Sequence, residues 1–191
     1  SGSTGTVLRQ SLLILALTGT ALIYGQLALG ATMRHQHRDL SITDFPLAYG
    51  QIIPATDPAT IARINQARDA QALSDLSAGQ IWLQLGHRFL AAIICLTIAA
   101  FWLLVRRKQT AIPFLRGLSN LWLGLVILQI ILGAWTVLSN KAADIATAHV
   151  AVGAVTFATA VAVSAALLRI GAASPASPSV QRRDLVESSA T

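Results

Sequence analysis

Charge is what this sequence lacks. Only 12% of its 191 residues are Asp, Glu, Lys or Arg, about half the share usual in soluble domains. With 54% hydrophobic residues and a mean hydropathy of +0.61, that scarcity excludes a soluble globular domain and leaves an integral membrane protein. Acids are the scarcer sign, 8 against 14 Lys and Arg, for a net charge of +6. The excess is not a nucleic-acid footprint, because the cations stand at the ends of apolar runs, where they report topology. Cysteine is nearly absent: Cys95 alone, inside an apolar run, excludes an intrachain disulfide and reads as a small core residue. The chain opens on Ser1 in a Ser/Gly/Thr-rich stretch rather than on Met. A processed, tagged or excerpted start is expected, with residues 1–10 flexible.

What is abundant is long apolar runs. Ser11–Met33, Gln80–Val105, Leu118–Leu138 and Ile145–Ile170 each supply the roughly 20 residues needed to cross a bilayer. In lipid the backbone must satisfy its own hydrogen bonds, so all four are predicted helices. The expected fold is an all-α membrane domain over residues 11–170, a four-helix bundle with a pseudo-two-fold repeat of helix pairs. Arg9, Arg106, Arg107, Lys108, Arg116, Arg169, Arg182 and Arg183 fall on one side of these spans. Arg34, Arg38, Arg63, Arg68 and Lys141 fall on the other, where the first loop's aspartates dilute them. Both termini are therefore expected in the cytoplasm, and the loop over residues 34–79 outside. In that loop Asp57-Pro58 reads as a helix N-cap followed by proline at the first helical position. Ile61, Ile64 and Ala67 then give a short amphipathic helix expected to lie on the membrane surface. The polar, Ser/Pro-rich tail over residues 171–191 is expected to be disordered.

The repeat is written twice. The first apolar run carries Gln26-Leu27-Ala28-Leu29-Gly30-Ala31 and the third carries Gln129-Ile130-Ile131-Leu132-Gly133-Ala134, both reading Q-x-x-L-G-A. The second and fourth runs each place a histidine early, His87 and His149. Small residues follow four and five positions on: Ala91 and Ala92, then Gly153 and Ala154. An ionisable group at that depth is costly and marks a functional site by default. Two histidines at one depth, facing each other from neighbouring helices, are suited to holding a heme iron from both faces. The small residues below them are expected to leave room for the flat macrocycle. Arg88 either pairs a heme propionate or snorkels to the interface. Gln26 and Gln129 are expected to bond each other, the backbone or a ligand, most simply in a structural role. The Arg34-His35-Gln36-His37-Arg38 run lacks the carboxylate or thiolate of a transition-metal set and reads as a solvated or propionate-facing turn. Trp82, Trp102 and Trp135 sit where interfacial belts place tryptophan.

These pieces are familiar together. QLALGATMRH, DFPLAYGQIIP, LGHRFLA, IILGAWTVLS and TAHVAVGA make the chain similar to the heme A synthase family over roughly residues 13–168. Members consist of two four-helix halves, each with a histidine pair in its second and fourth helices. The resemblance implies that His87 and His149 ligate the iron of a heme b, with Arg88 and Gln84 beside it. It implies an oxidoreductase that converts the heme O methyl group to the formyl group of heme A for cytochrome oxidase, in the bacterial cytoplasmic membrane. Implied partners are heme O and heme A, a homologous N-terminal half or a second copy, a quinol or other electron donor, heme O synthase and the oxidase. One position departs from the substrate half: where it carries a glutamate three residues before the helix-two histidine, this chain has Gln84. The likeness is thus to the cofactor half, either cut from a longer protein or standing alone. Two other functions fit the same residues: a b-type electron-transfer cytochrome oxidising quinol, and a non-catalytic heme-binding assembly subunit.

Overall fold

In a computed structural model that describes residues 2–36, 40–107 and 113–172, the chain forms helices α1 (Gly2–Gln36), α2 (Pro58–Asp69), α3 (Ala78–Arg107), α4 (Pro113–Leu138) and α5 (Ala143–Ala172). Among the described residues, α1, α3, α4 and α5 are long and apolar enough to cross a membrane. The protein is an all-α membrane bundle. Helix α1 runs to Gly2, so the expected flexible segment over residues 1–10 is helical from its second residue. An apolar helix propagates through weak helix formers once nucleated, and Ser11 returns its hydroxyl to the Val7 carbonyl in doing so. His37, Arg38 and the tail beyond residue 172 lie outside the described residues.

Each long helix packs against two others, in the ring order α1, α3, α4, α5. The pairs α1–α3 and α4–α5 are the two repeat units, and α3–α4 and α5–α1 join them. The histidine-bearing helices α3 and α5 are therefore diagonal across the bundle rather than neighbours, which corrects the sequence expectation. The two arrangements share one sequence pattern, because periodicity identifies a buried face without saying which helix it meets.

The best-packed part of the bundle lies away from the histidines. Leu12 and Ala16 of α1, Ile98, Phe101 and Val105 of α3, Leu115 and Trp122 of α4, and Val163 and Leu167 of α5 are buried in one cluster. Phe101 meets Trp122 edge to face with ring centroids 5.5 Å apart, a favoured aromatic geometry. Thr20 and Ser164 hydrogen-bond at 3.0 Å, linking α1 to α5 across the lipid-soluble interior. Trp122 has a different use from the other tryptophans. Trp82 and Trp135 are exposed on the outside, and Trp102 bonds Asn120 and stacks under Arg106. Trp122 is wholly buried because Gly19 opposite makes room for it.

The outer loop has its own small core of Ile42, Ala48, Leu76, Ile81 and Leu85. Asp57 caps α2 as expected, accepting from the Ala59 and Thr60 amides, with Pro58 in the first turn. Ile61 and Ile64 pack on this core, and Ala67 is exposed. The apolar face of α2 is thus directed into the loop rather than held for the membrane surface. The link between α4 and α5 is a tight reversal, with Asn140 and Lys141 both at positive φ; the two helices form the expected antiparallel hairpin.

Gly19 offers a direct test of the close packing. A Cβ there would lie 2.9 Å from Trp122 Cη2, and the indole is enclosed on every side. Gly19→Val should cost about 1–3 kcal/mol from overpacking, read as a lower melting temperature in detergent, while Gly124→Val, which meets no neighbouring atom, should leave it nearly unchanged.

Candidate functional site

The repeat is functional geometry as well as sequence. In α1 the Gln26 Nε2 donates to the backbone carbonyl of His87 at 3.1 Å. In α4 the Gln129 Nε2 donates to the backbone carbonyl of His149 at 2.9 Å. Four residues after each glutamine stands a glycine that faces the matching ring. A Cβ at Gly30 would meet His87 Cε1 at 3.5 Å, and one at Gly133 would meet His149 Cε1 at 3.3 Å. Q-x-x-L-G is therefore a histidine seat. The amide pins the turn carrying the imidazole, and the glycine one turn on lets the ring lie against the partner helix.

The two seats lie at nearly one level. Gly153, one turn beyond His149, faces Leu27, the residue after Gln26, at 3.3 Å from its projected Cβ. The histidine turns are therefore level to within about one helical turn. His87 Nδ1 and His149 Nδ1 are buried without a hydrogen-bond partner among the described residues, and so is Gln26 Oε1. Such groups cost about 1–3 kcal/mol each when left unsatisfied, and water in the bilayer core cannot relieve them.

The small residues after the histidines serve another purpose than expected. Gly153 is buried against Leu27 and Gln129, letting α5 approach α1 and α4. Ala92 and Ala154 face outward. Room beside the rings comes instead from Gly30 and Gly133, inside the repeat motif itself.

Gln84 and Arg88 flank His87 on α3, and both hold the outer loop. Gln84 is buried and pairs with a whole peptide unit: its Oε1 accepts from Ile42 N at 2.8 Å, and its Nε2 donates to Ile42 O at 2.9 Å. Arg88 donates from Nη2 to Asp44 O and from Nη1 to Leu47 O, both at 2.8 Å, with Phe45 over its guanidinium. Both of its bonds go to loop carbonyls. Arg88 lies ten residues into α3, about 15 Å from the helix start, so the 44–47 limb follows α3 down to the turn that carries His87. The limb is internally bonded as well. Asp44 accepts from the Tyr49 and Gly50 amides, Ala48 and Gln51 exchange both backbone bonds around a turn at positive φ, and the Tyr49 hydroxyl donates to Ser41 O. Burial pushes the Tyr49 hydroxyl pKa up, against the lowering effect of the nearby Arg68, so it remains a donor. Nothing equivalent flanks His149, where the matching positions are Ala146 and an exposed Val150.

Sequence reading missed Arg68. It is 7% exposed, with Nε donating to Ser74 O at 2.7 Å and Nη1 to Leu40 O at 2.9 Å. Its helical spacing with Ile61 and Ile64 was the available signal. Among the described residues no group of three or more metal-ligating side chains occurs, so the histidine pair stands by itself as a donor set.

The family model described as cytochrome oxidase assembly protein, COX15-CtaA, matches residues 4–161. No curated protein and no solved structure matches the chain.

The double bond between Gln84 and Ile42 gives a clean prediction. Gln84→Glu keeps the acceptor for Ile42 N and loses the donor for Ile42 O, so about 1–3 kcal/mol of local stability should disappear. Hydrogen exchange should then speed up across residues 40–51 while α4 and α5 keep their protection. Unaltered exchange in that limb would show that the amide does not hold it.

Proposed function

The chain belongs to the COX15-CtaA family of cytochrome oxidase assembly proteins, and we propose that it holds a heme iron between His87 and His149 as the cofactor half of a heme A synthase. The family supports a role in cytochrome oxidase assembly and heme A synthesis, and an oxidoreductase at family level. The observation that carries the finer reading is the matched pair of imidazoles. They sit on diagonal helices in equivalent glycine-floored seats, with buried nitrogens that nothing else in the described chain satisfies. Two neutral nitrogen donors of this kind fit a heme iron.

A heme held by His87 and His149 would supply one-electron transfer there. The chain's own residues do the positioning. Gln26 and Gln129 fix the rotation of the histidine turns, and Gly30 and Gly133 let the rings settle in orientation. Gln84 and Arg88 fasten the 42–47 limb beside the His87 turn, which restricts access from the outer side. With Gln84 committed to Ile42, no carboxylate stands at that position to take or give a proton. This favours electron transfer for this half, with oxidation of the heme O methyl group to the formyl group of heme A completed at a partner half or second copy. Electrons would pass to or from that partner; with quinol as the donor, an oxidant such as dioxygen would have to be reduced there as the methyl group is oxidised. Extracted heme b accompanied by heme O or heme A supports this reading; heme b alone supports a b-type cytochrome or an assembly subunit instead.

Changing either ligand tests the site itself. His87→Met and His149→Met should each lose the low-spin reduced spectrum of the wild type or lose most bound heme. Lower protein yield should follow, because the bundle would then enclose unsatisfied groups around a gap. Wild-type spectra from both variants would remove the bis-histidine site.

We place both termini in the cytoplasm of a bacterial cell and the 34–79 loop outside, on the Lys/Arg distribution. In a Cys95→Ala background, Ser74→Cys should react with an impermeant thiol reagent added to intact cells. Reaction only after membrane rupture would invert the orientation.

A further inference from the structure

The outer loop divides by charge. From Phe45 to Thr56 its twelve residues include no Asp, Glu, Lys or Arg, whereas residues 57–75 hold five of them. The charge-free stretch also leaves large apolar side chains uncovered. Ile52 is 71% and Ile53 58% exposed, and Phe45 and Leu47 are exposed as well. The isoleucines of α2, Ile61 and Ile64, pack inward instead.

The level of this stretch follows from its ties to α3. Asp44 O and Leu47 O accept from Arg88 at 2.8 Å, and at the far end Thr56 Oγ1 accepts from Trp82 Nε1 at 3.2 Å. Arg88 stands six residues beyond Trp82, about 9 Å along the helix, and residues 48–55 are strung between the two ties. A bilayer crossing needs roughly 20 residues. Counted from the basic end of each helix, that length runs from Arg9 to Leu29, from Arg106 to Gly86, from Arg116 to Thr136 and from Arg169 to His149. Gly30 faces His87 and Gly133 faces His149, so the counts meet within about one turn. The hydrocarbon layer therefore ends close to Arg88, and the exposed Trp82 stands in the head-group region, where tryptophan is favoured. The stretch lies across that boundary rather than in the water above it. Its backbone is fitted to the position. Ala48 and Gln51 exchange both peptide bonds, and Asp44 takes the Tyr49 and Gly50 amides. All four amides of the 48–51 turn are thus paired, as a low-water environment demands. Phe89, next after Arg88, and Ile93 are exposed and begin the lipid-facing surface of α3.

We propose that residues 45–53 form a lipid-docking wedge, with Phe45, Leu47, Ile52 and Ile53 inserted among the head groups and upper acyl chains of the leaflet on the loop's side. The partner is the phospholipid leaflet itself. No cation within the stretch selects an anionic head group, and the Arg88 fork is occupied by carbonyls. A protein partner would also cover apolar side chains, but protein interfaces ordinarily carry a polar rim. A charge-free stretch with paired amides at the edge of the hydrocarbon is what lipid requires. The inference does not depend on a bound heme.

The test uses the full chain in phosphatidylcholine nanodiscs, with Cys95→Ala as background and one nitroxide-labelled cysteine at a time. Ile52→Cys and Ile53→Cys probe the wedge, and Ala62→Cys, exposed on α2, is the water reference. The exposure of both isoleucines makes these substitutions safe for folding. Collision with oxygen, which concentrates in lipid, and with a water-soluble nickel chelate reports the surroundings of each label. An oxygen-to-nickel ratio about fivefold or more above the Ala62 reference, at either wedge site, is expected of a side chain seated in the leaflet. Ratios at both sites that stay below this place the stretch in water and overturn the proposal. Labels shielded from both probes at both sites also overturn it, since a second protein then covers the patch.

Discussion

Everything near the histidines follows from one constraint: in a bilayer the protein must satisfy its polar groups itself. The glutamine-to-carbonyl bonds are the clearest expression of it. Gln26 and Gln129 would be expensive in lipid as bare amides. Each instead donates to the carbonyl of the turn that presents an imidazole. A single bond therefore solves the amide's desolvation problem, ties the two helices of a repeat unit together, and sets the rotation that aims the ring. Interhelical polar bonds in membranes contribute only about 1 kcal/mol each. Their value here is positional, because a rotation of one residue would turn a histidine by about 100° and out of the bundle.

The same constraint shapes the outer loop. A limb that follows α3 as far as Arg88 brings peptide groups toward the apolar layer, and the sequence meets them with side chains. Gln84 matches both polar atoms of Ile42, Asp44 takes two amides, and Arg88 takes two carbonyls. A glutamine suits its position for a reason that an ionised glutamate does not share: the amide both donates and accepts toward one peptide unit, whereas a carboxylate only accepts. Gln84 thus serves as a clasp on the loop rather than as a titratable group.

Much of this was legible from residues alone. Lengths of apolar run gave four spans, and Asp57-Pro58 gave the start of α2. The Q-x-x-L-G-A repeat marked the helix pairs as matching units, and each glutamine bonds the histidine turn of its own pair. What could not be read was which surfaces meet. The ring order of the helices is set by packing across the whole bundle, so α3 and α5 looked like neighbours and are diagonal. Gly153 and Gly133 are equally small residues near a histidine, but only Gly133 faces a ring. Trp122 looks like any membrane tryptophan until Gly19 is seen across from it. Arg68 reads as a loop cation, because its helical spacing with Ile61 and Ile64 does not by itself say that the loop closes over it.

The two ends of the molecule are consequently built for different tasks. Away from the histidines, Phe101, Trp122, Val163 and their neighbours fill the interior, and a packed interior resists deformation. At the histidine level the sequence spends glycines and amides where large apolar groups would otherwise go. That loses packing contacts and leaves His87 Nδ1, His149 Nδ1 and Gln26 Oε1 without a partner among the described residues, while in the packed half only Trp122 Nε1 is left so. The rigid half makes the loose half usable. With α1 and α5 joined at Thr20–Ser164 and α4 locked through Trp122 against Gly19, the four helices reach the histidine level already spaced, so a ligand bridging α3 and α5 would meet two positioned rings rather than having to gather them.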